Sequence, residues 1–174
     1  MLRSQLEHIL RASGALLNET VMIVVGSQAI LGSLENPPAE LLVSREADLY
    51  PRDAPEKTDL ITGSLGELSL FDETFGYHAD GVSPTTAVLP GSWASRLVPF
   101  QNENTGGVLA LCLSPVDIAI SKLAAGREKD LAYVQALLHH RIVRKEEIRA
   151  LLGELSPQTG RLVGDRLAGL EAVM

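Results

Sequence analysis

Leu2, Leu6, Ile9, Leu10, Leu16 and Leu17 return at helical spacing, which predicts an amphipathic helix over 2–17 with Asn18 as its stop. Val21-Met-Ile-Val-Val25 is a short β-branched apolar run, the pattern of a buried strand, and Gly26-Ser27 ends it. Gln28-Ala-Ile-Leu31 reads as the start of a short helix, and Asn36-Pro37-Pro38 breaks the chain. Two extended pieces follow, Leu41–Val43 and Ala47–Tyr50. Asp59–Leu70 reads as a helix with Asp59 as its cap. Phe75–Asp80 alternates as a strand does, and Arg96–Phe100 and Val108–Leu113 are two further strands across a polar loop.

From Ser114 the period changes. Ser114-Pro115-Val116-Asp117 opens a helix, with serine as cap, proline at the first position and an acid at the third. An apolar run, Ile118–Ala125, continues it to Gly126. Residues 128–139, 144–152 and 157–171 are further helices, and Ser156-Pro157 repeats the opening signal. The order is helix, mixed α/β, then helices, which divides the chain into a core over 1–113 and a helical portion over 114–174.

Composition changes this picture little. The 174 residues are enough to bury a core, and 45% apolar with 21% charged residues is ordinary for a folded domain. The net charge of −7 argues against non-specific DNA binding, although a local basic patch is compatible with an acidic body. The single cysteine, Cys112, lies in an apolar run and reads as a buried strand residue. No signal-peptide pattern and no membrane span is visible, so a cytoplasmic location is the default expectation.

Candidate chemistry begins at Gly26-Ser27. Glycine lets a phosphate approach the backbone, serine adds a donor, and a helix N-terminus favours negative charge. A tight strand-to-helix turn is the plainer alternative. Glu46 and Asp48 stand two apart on a predicted strand, so both carboxylates share a face. Such a pair is unfavourable unless solvated, protonated or bridged by a cation, and Mg²⁺ (or Mn²⁺) takes carboxylate and phosphate oxygens together.

Val25-Gly26-Ser27 followed by Glu46-Ala47-Asp48 resembles the nucleotidyltransferase superfamily, with Ser44 where a small hydroxyl residue is often found. Ser114–Leu131, containing Lys122, Arg127, Lys129 and Asp130, is similar to the helical segment of AbiEii-type toxins and related uncharacterised bacterial nucleotidyltransferase-like proteins. The resemblance covers about residues 20–140. It implies an α/β (α+β) fold, a small mixed sheet flanked by helices with a helical C-terminal portion. It also implies that Gly26, Ser27, Lys122 and Lys129 bind nucleotide, and that Glu46 and Asp48 bind metal.

The chain departs from the pattern in its long gap before Glu46 and in having Glu first. A third carboxylate is not obvious. Asp80 is the best candidate, because Gly76, His78 and Asp80 share one predicted strand face; a strand-end turn is its plainer role. Asp130 at a helix start reads as a cap, and His139-His140 as residues at a helix C-terminus. No nucleophile-elbow or Walker sequence is present. Two functions follow from the resemblance. One is Mg²⁺-dependent transfer of a nucleoside monophosphate from an NTP to RNA or protein. The other is a catalytically degenerate binding or regulatory module, paired with a partner protein in a toxin–antitoxin-like system. A purely structural α/β protein would have no nucleotide affinity.

Overall fold

The computed structural model describes residues 1–171. Its centre is a mixed sheet of five strands: β1 (Val21–Val25), β2 (Glu46–Pro51), β3 (His78–Gly81), β4 (Val98–Phe100) and β5 (Leu109–Cys112), in the order β3-β2-β1-β5-β4. β1 runs parallel to β5 and antiparallel to β2; β2 and β3 are parallel, and β4 and β5 antiparallel. Met22, Val24, Ala47, Leu49, Ala79, Ala110 and Cys112 have no exposed surface, so central strands carry apolar side chains as burial demands. Removing such side chains from water is the main favourable term, about 1.5–3 kcal/mol for each large one.

Among the described residues eight helices flank the sheet: α1 (Arg3–Leu17), α2 (Ile30–Ser33), α3 (Thr58–Leu65), α4 (Leu70–Phe75), α5 (Pro115–Ala125), α6 (Glu128–His139), α7 (Lys145–Leu151) and α8 (Pro157–Glu171). This is a nucleotidyltransferase-like mixed α/β architecture. α1 buries Leu6, Ile9 and Leu10, and stops where Asn18 turns left-handed at φ 54°. Ser114 caps α5 by accepting the Asp117 N–H, with Pro115 at the first position. Among the described residues no helix is long and apolar enough to cross a membrane.

Several expected elements are placed differently. Leu41–Val43 is not a strand: Ala39–Leu41 is a 3-10 turn and irregular chain follows. The helix expected over 59–70 is two helices. α3 stops at Gly66, Leu68 takes a positive φ, and Ser69 caps α4 by accepting the Asp72 N–H. Asp59 is no cap, since a 3-10 turn at Pro55–Lys57 leads straight into α3. Phe75 and Gly76 end α4, with Gly76 left-handed at φ 75°, so the strand begins only at His78 and Gly76 does not share its face. The strands near 96–113 are shorter than expected, because Trp93–Arg96 forms a 3-10 turn.

Candidate functional site

β1 delivers the chain to Gly26, which has φ 67° and ψ −164°, a conformation nearly confined to glycine. Val25 pairs with Asp48 across β1 and β2, so the turn lies directly against that carboxylate. A Cβ on Gly26 would stand 2.0 Å from Asp48 Oδ2. Glycine is therefore required here twice, by dihedral angle and by space.

The parallel register of β2 and β3 pairs Glu46 with His78 and Asp48 with Asp80. Paired residues of neighbouring strands face the same way, so four polar side chains form a two-by-two patch. Glu46, His78 and Asp80 each present a ligand-type atom within 4.8 Å of the others. The sequence signal for this patch is a repeat: Glu46-Ala47-Asp48 on β2 is answered by His78-Ala79-Asp80 on β3.

Crowding of acids shows in the electrostatics. Burial, then the Glu46 charge and a shared hydrogen bond with Glu46, then Asp80, push the Asp48 carboxyl up to about 7, against a smaller downward pull from Lys122. Burial and Glu46 likewise raise Asp80, and His78 partly offsets them. Carboxyls held above their ordinary range form a site that favours a proton or a cation.

An open cavity of about 1190 Å³ begins at the Gly26-Ser27 turn. Glu46 and Asp48 line it on the sheet side, and Lys122, Arg127, Lys129 and Tyr133 on the helical side. Ser44 lies on its wall and hydrogen-bonds both backbone groups of Glu46, fixing the start of β2. Asp80 and His78 sit one strand further out.

The helical wall is tied together by ions. Lys122 Nζ donates to Asp130 Oδ1 at 2.9 Å and lies 4.6 Å from the centre of the Tyr133 ring. Arg127 Nε donates to the other Asp130 oxygen at 2.6 Å. Burial alone would raise Asp130, but the Arg127 and Lys122 cations hold it below its ordinary value. The expectation that Asp130 caps α6 is thus corrected: it is a fully buried counter-ion, and Arg127 occupies the cap position. Tyr133 donates its hydroxyl to the Ser27 carbonyl at 2.7 Å, which joins α6 to the Gly-Ser turn. Residue spacing alone marks Tyr133 only as a core-facing aromatic. Lys129 is exposed at the cavity rim. His139 also lines the cavity, whereas His140 pairs with Glu40.

The structure therefore gathers Gly26, Ser27, Glu46, Asp48 and Lys122 round one cavity, with Asp80 beside Asp48 and Lys129 at the edge. A family described as "Nucleotidyltransferase of unknown function (DUF6036)" matches residues 3–156. No curated protein and no solved structure gives a significant match.

Proposed function

Since the chain belongs to this family of nucleotidyltransferases of unknown function, we propose that its cavity moves a nucleoside monophosphate from an NTP to an acceptor hydroxyl. The observation carrying this reading is the strand register that sets Asp80 beside Asp48, with Glu46 on the same face. This supports Asp80, the sequence's best candidate, as the third carboxylate.

The donor set fits a hard divalent cation, because burial, and after it the neighbouring Glu46 and Asp80 carboxylates, push Asp48 up to about 7, a charge that a cation would offset. Glu46 and Asp48 would hold it. Mg²⁺ (or Mn²⁺) held there would supply neutralisation of charge on the triphosphate and its leaving group. The Gly26-Ser27 backbone receives the phosphates, and the helical wall with Lys122 and Lys129 offsets their charge. The acceptor oxygen bonds to the α-phosphorus while the bond to the bridging oxygen breaks, and pyrophosphate leaves with that electron pair. Asp80, raised by burial and by Glu46, takes the acceptor's proton. Positioning and charge stabilisation carry most of the rate.

The resemblance of Ser114–Leu131 to the AbiEii-type segment favours RNA or protein as acceptor. A second reading follows from Lys122, whose ammonium is already paired with Asp130: the cavity binds a nucleotide without transferring it. Calorimetry of NTP binding with and without Mg²⁺ tests the site. Binding is expected only with the cation, and Glu46→Ala or Asp48→Ala should weaken it at least about tenfold, as loss of a cation ligand does. Affinity indifferent to both substitutions would contradict the assignment.

A further inference from the structure

His78 has no part in the scheme above, yet it occupies a position a ligand would. Its side chain is 9% exposed, and its Nδ1 lies 3.4 Å from Asp72 Oδ1. Among the described residues its Nε2 has no hydrogen-bond partner. Asp72 is itself pinned: Arg45 donates to Oδ1 at 2.7 Å and the Leu68 N–H to Oδ2 at 3.3 Å. A carboxylate held in this way accepts the Nδ1 proton and leaves the Nε2 lone pair free. That is the tautomer and the outer-carboxylate arrangement of metal-binding histidines.

We propose that Glu46, His78 and Asp80 form a nitrogen-containing site for a first-row transition-metal dication, preferred there over Mg²⁺. One ring nitrogen of His78 and one carboxylate oxygen each of Glu46 and Asp80 lie within 4.8 Å of one another. Three atoms each about 2.1 Å from one ion stand about 3.0–3.6 Å apart, so a movement of about 1 Å by each side chain closes the set. An imidazole ligand costs Mg²⁺ one of the oxygens it demands, whereas Mn²⁺, Co²⁺ and Zn²⁺ accept nitrogen readily. The inference deepens the reading above, on which it rests: Glu46 would serve both ions, and Asp80 would ligate through one oxygen and keep the other for the acceptor's proton. It adds a ligand, an outer partner and a metal preference.

The test uses the full chain, freed of metal and loaded with Mn²⁺, because the spin of that ion reports a directly bonded nitrogen. Pulsed electron paramagnetic resonance should show one strong ¹⁴N coupling, replaced by the ¹⁵N pattern in uniformly labelled protein. Excess Mg²⁺ at about tenfold should fail to displace the ion. His78→Gln should abolish the coupling and weaken Mn²⁺ binding at least about tenfold while changing Mg²⁺ binding less than about twofold. Asp72→Asn should keep the coupling and weaken Mn²⁺ by about 10–100-fold, the usual effect of losing an outer partner.

Mn²⁺ bound through oxygen alone in the unmodified chain would overturn the proposal, whatever the variants do. So would equal competition by Mg²⁺. Nitrogen-ligated Mn²⁺ in a chain that transfers no nucleotide would instead sink the functional reading and leave the metal site standing.

Discussion

Two residues hold most of the site's strain. Gly26 combines a glycine-only backbone conformation with an approach to Asp48 too close for any Cβ. Gly26→Ala is expected to destabilise the fold by about 1–3 kcal/mol and to displace the Asp48 carboxylate, so thermal unfolding and NTP affinity should fall together. Unchanged melting would mean that the turn relaxes freely. Asp48 stores electrostatic rather than steric strain. Burial, with the Glu46 charge beside it, pushes its carboxyl up to about 7 in the folded chain from an ordinary 3.8. The folded state thus binds the proton more tightly than the unfolded one, and stability falls as pH rises between those values. Metal-free protein should melt higher at pH 5.5 than at pH 8. Asp48→Asn should shrink that difference, leaving the part due to the raised Asp80, and stabilise the chain at pH 8 on the order of 3 kcal/mol. Residue-scale chemistry was largely legible: the Gly-Ser turn and the Glu-x-Asp pair announce themselves by residue type and spacing. His78 was not, because a lone histidine is ordinary until its neighbours are known.

Elements were legible where caps and periodicity agree. Ser114-Pro115 opens α5, Glu128–His139 forms α6, and Pro157–Glu171 forms α8, each as its pattern implies. Reading failed between residues 59 and 80, where Gly66, Leu68 and Ser69 cut one apparent helix in two. The signal was present as Ser69-x-x-Asp72, but the apolar residues on either side keep a continuous helical rhythm that masks it. α5 also shows what a cap alone does not reveal. Asp117 is completely buried, where it receives two bonds from Arg96, at 2.7 and 3.0 Å, and one from Ser114 at 2.6 Å. It fastens the helix that carries Lys122 to the turn before β4. Asp117→Ala leaves the guanidinium facing a cavity and should cost about 3–5 kcal/mol, read as a lowered denaturant midpoint. A loss below ~1 kcal/mol would show that the pair is ornamental.

At the scale of the molecule, the proposed function depends on register, which no local pattern encodes. Glu46 and Asp48 lie about thirty residues from His78 and Asp80, and only the parallel pairing of β2 with β3 makes them one patch. The Tyr133 bond to Ser27 likewise closes the cavity across more than a hundred residues. Lys122, Arg127 and Lys129 line the same cavity as Glu46 and Asp48. The most direct test of this arrangement is incubation with NTP labelled on the α-phosphate, beside NTP labelled on the γ-phosphate, together with Mg²⁺ and a cellular RNA and protein pool. Stable transfer of the α-label to a macromolecule, with pyrophosphate released and with loss of transfer in Asp80→Ala, is the predicted result. Transfer of the γ-label, or α-label transfer that survives Asp80→Ala unchanged, would contradict it.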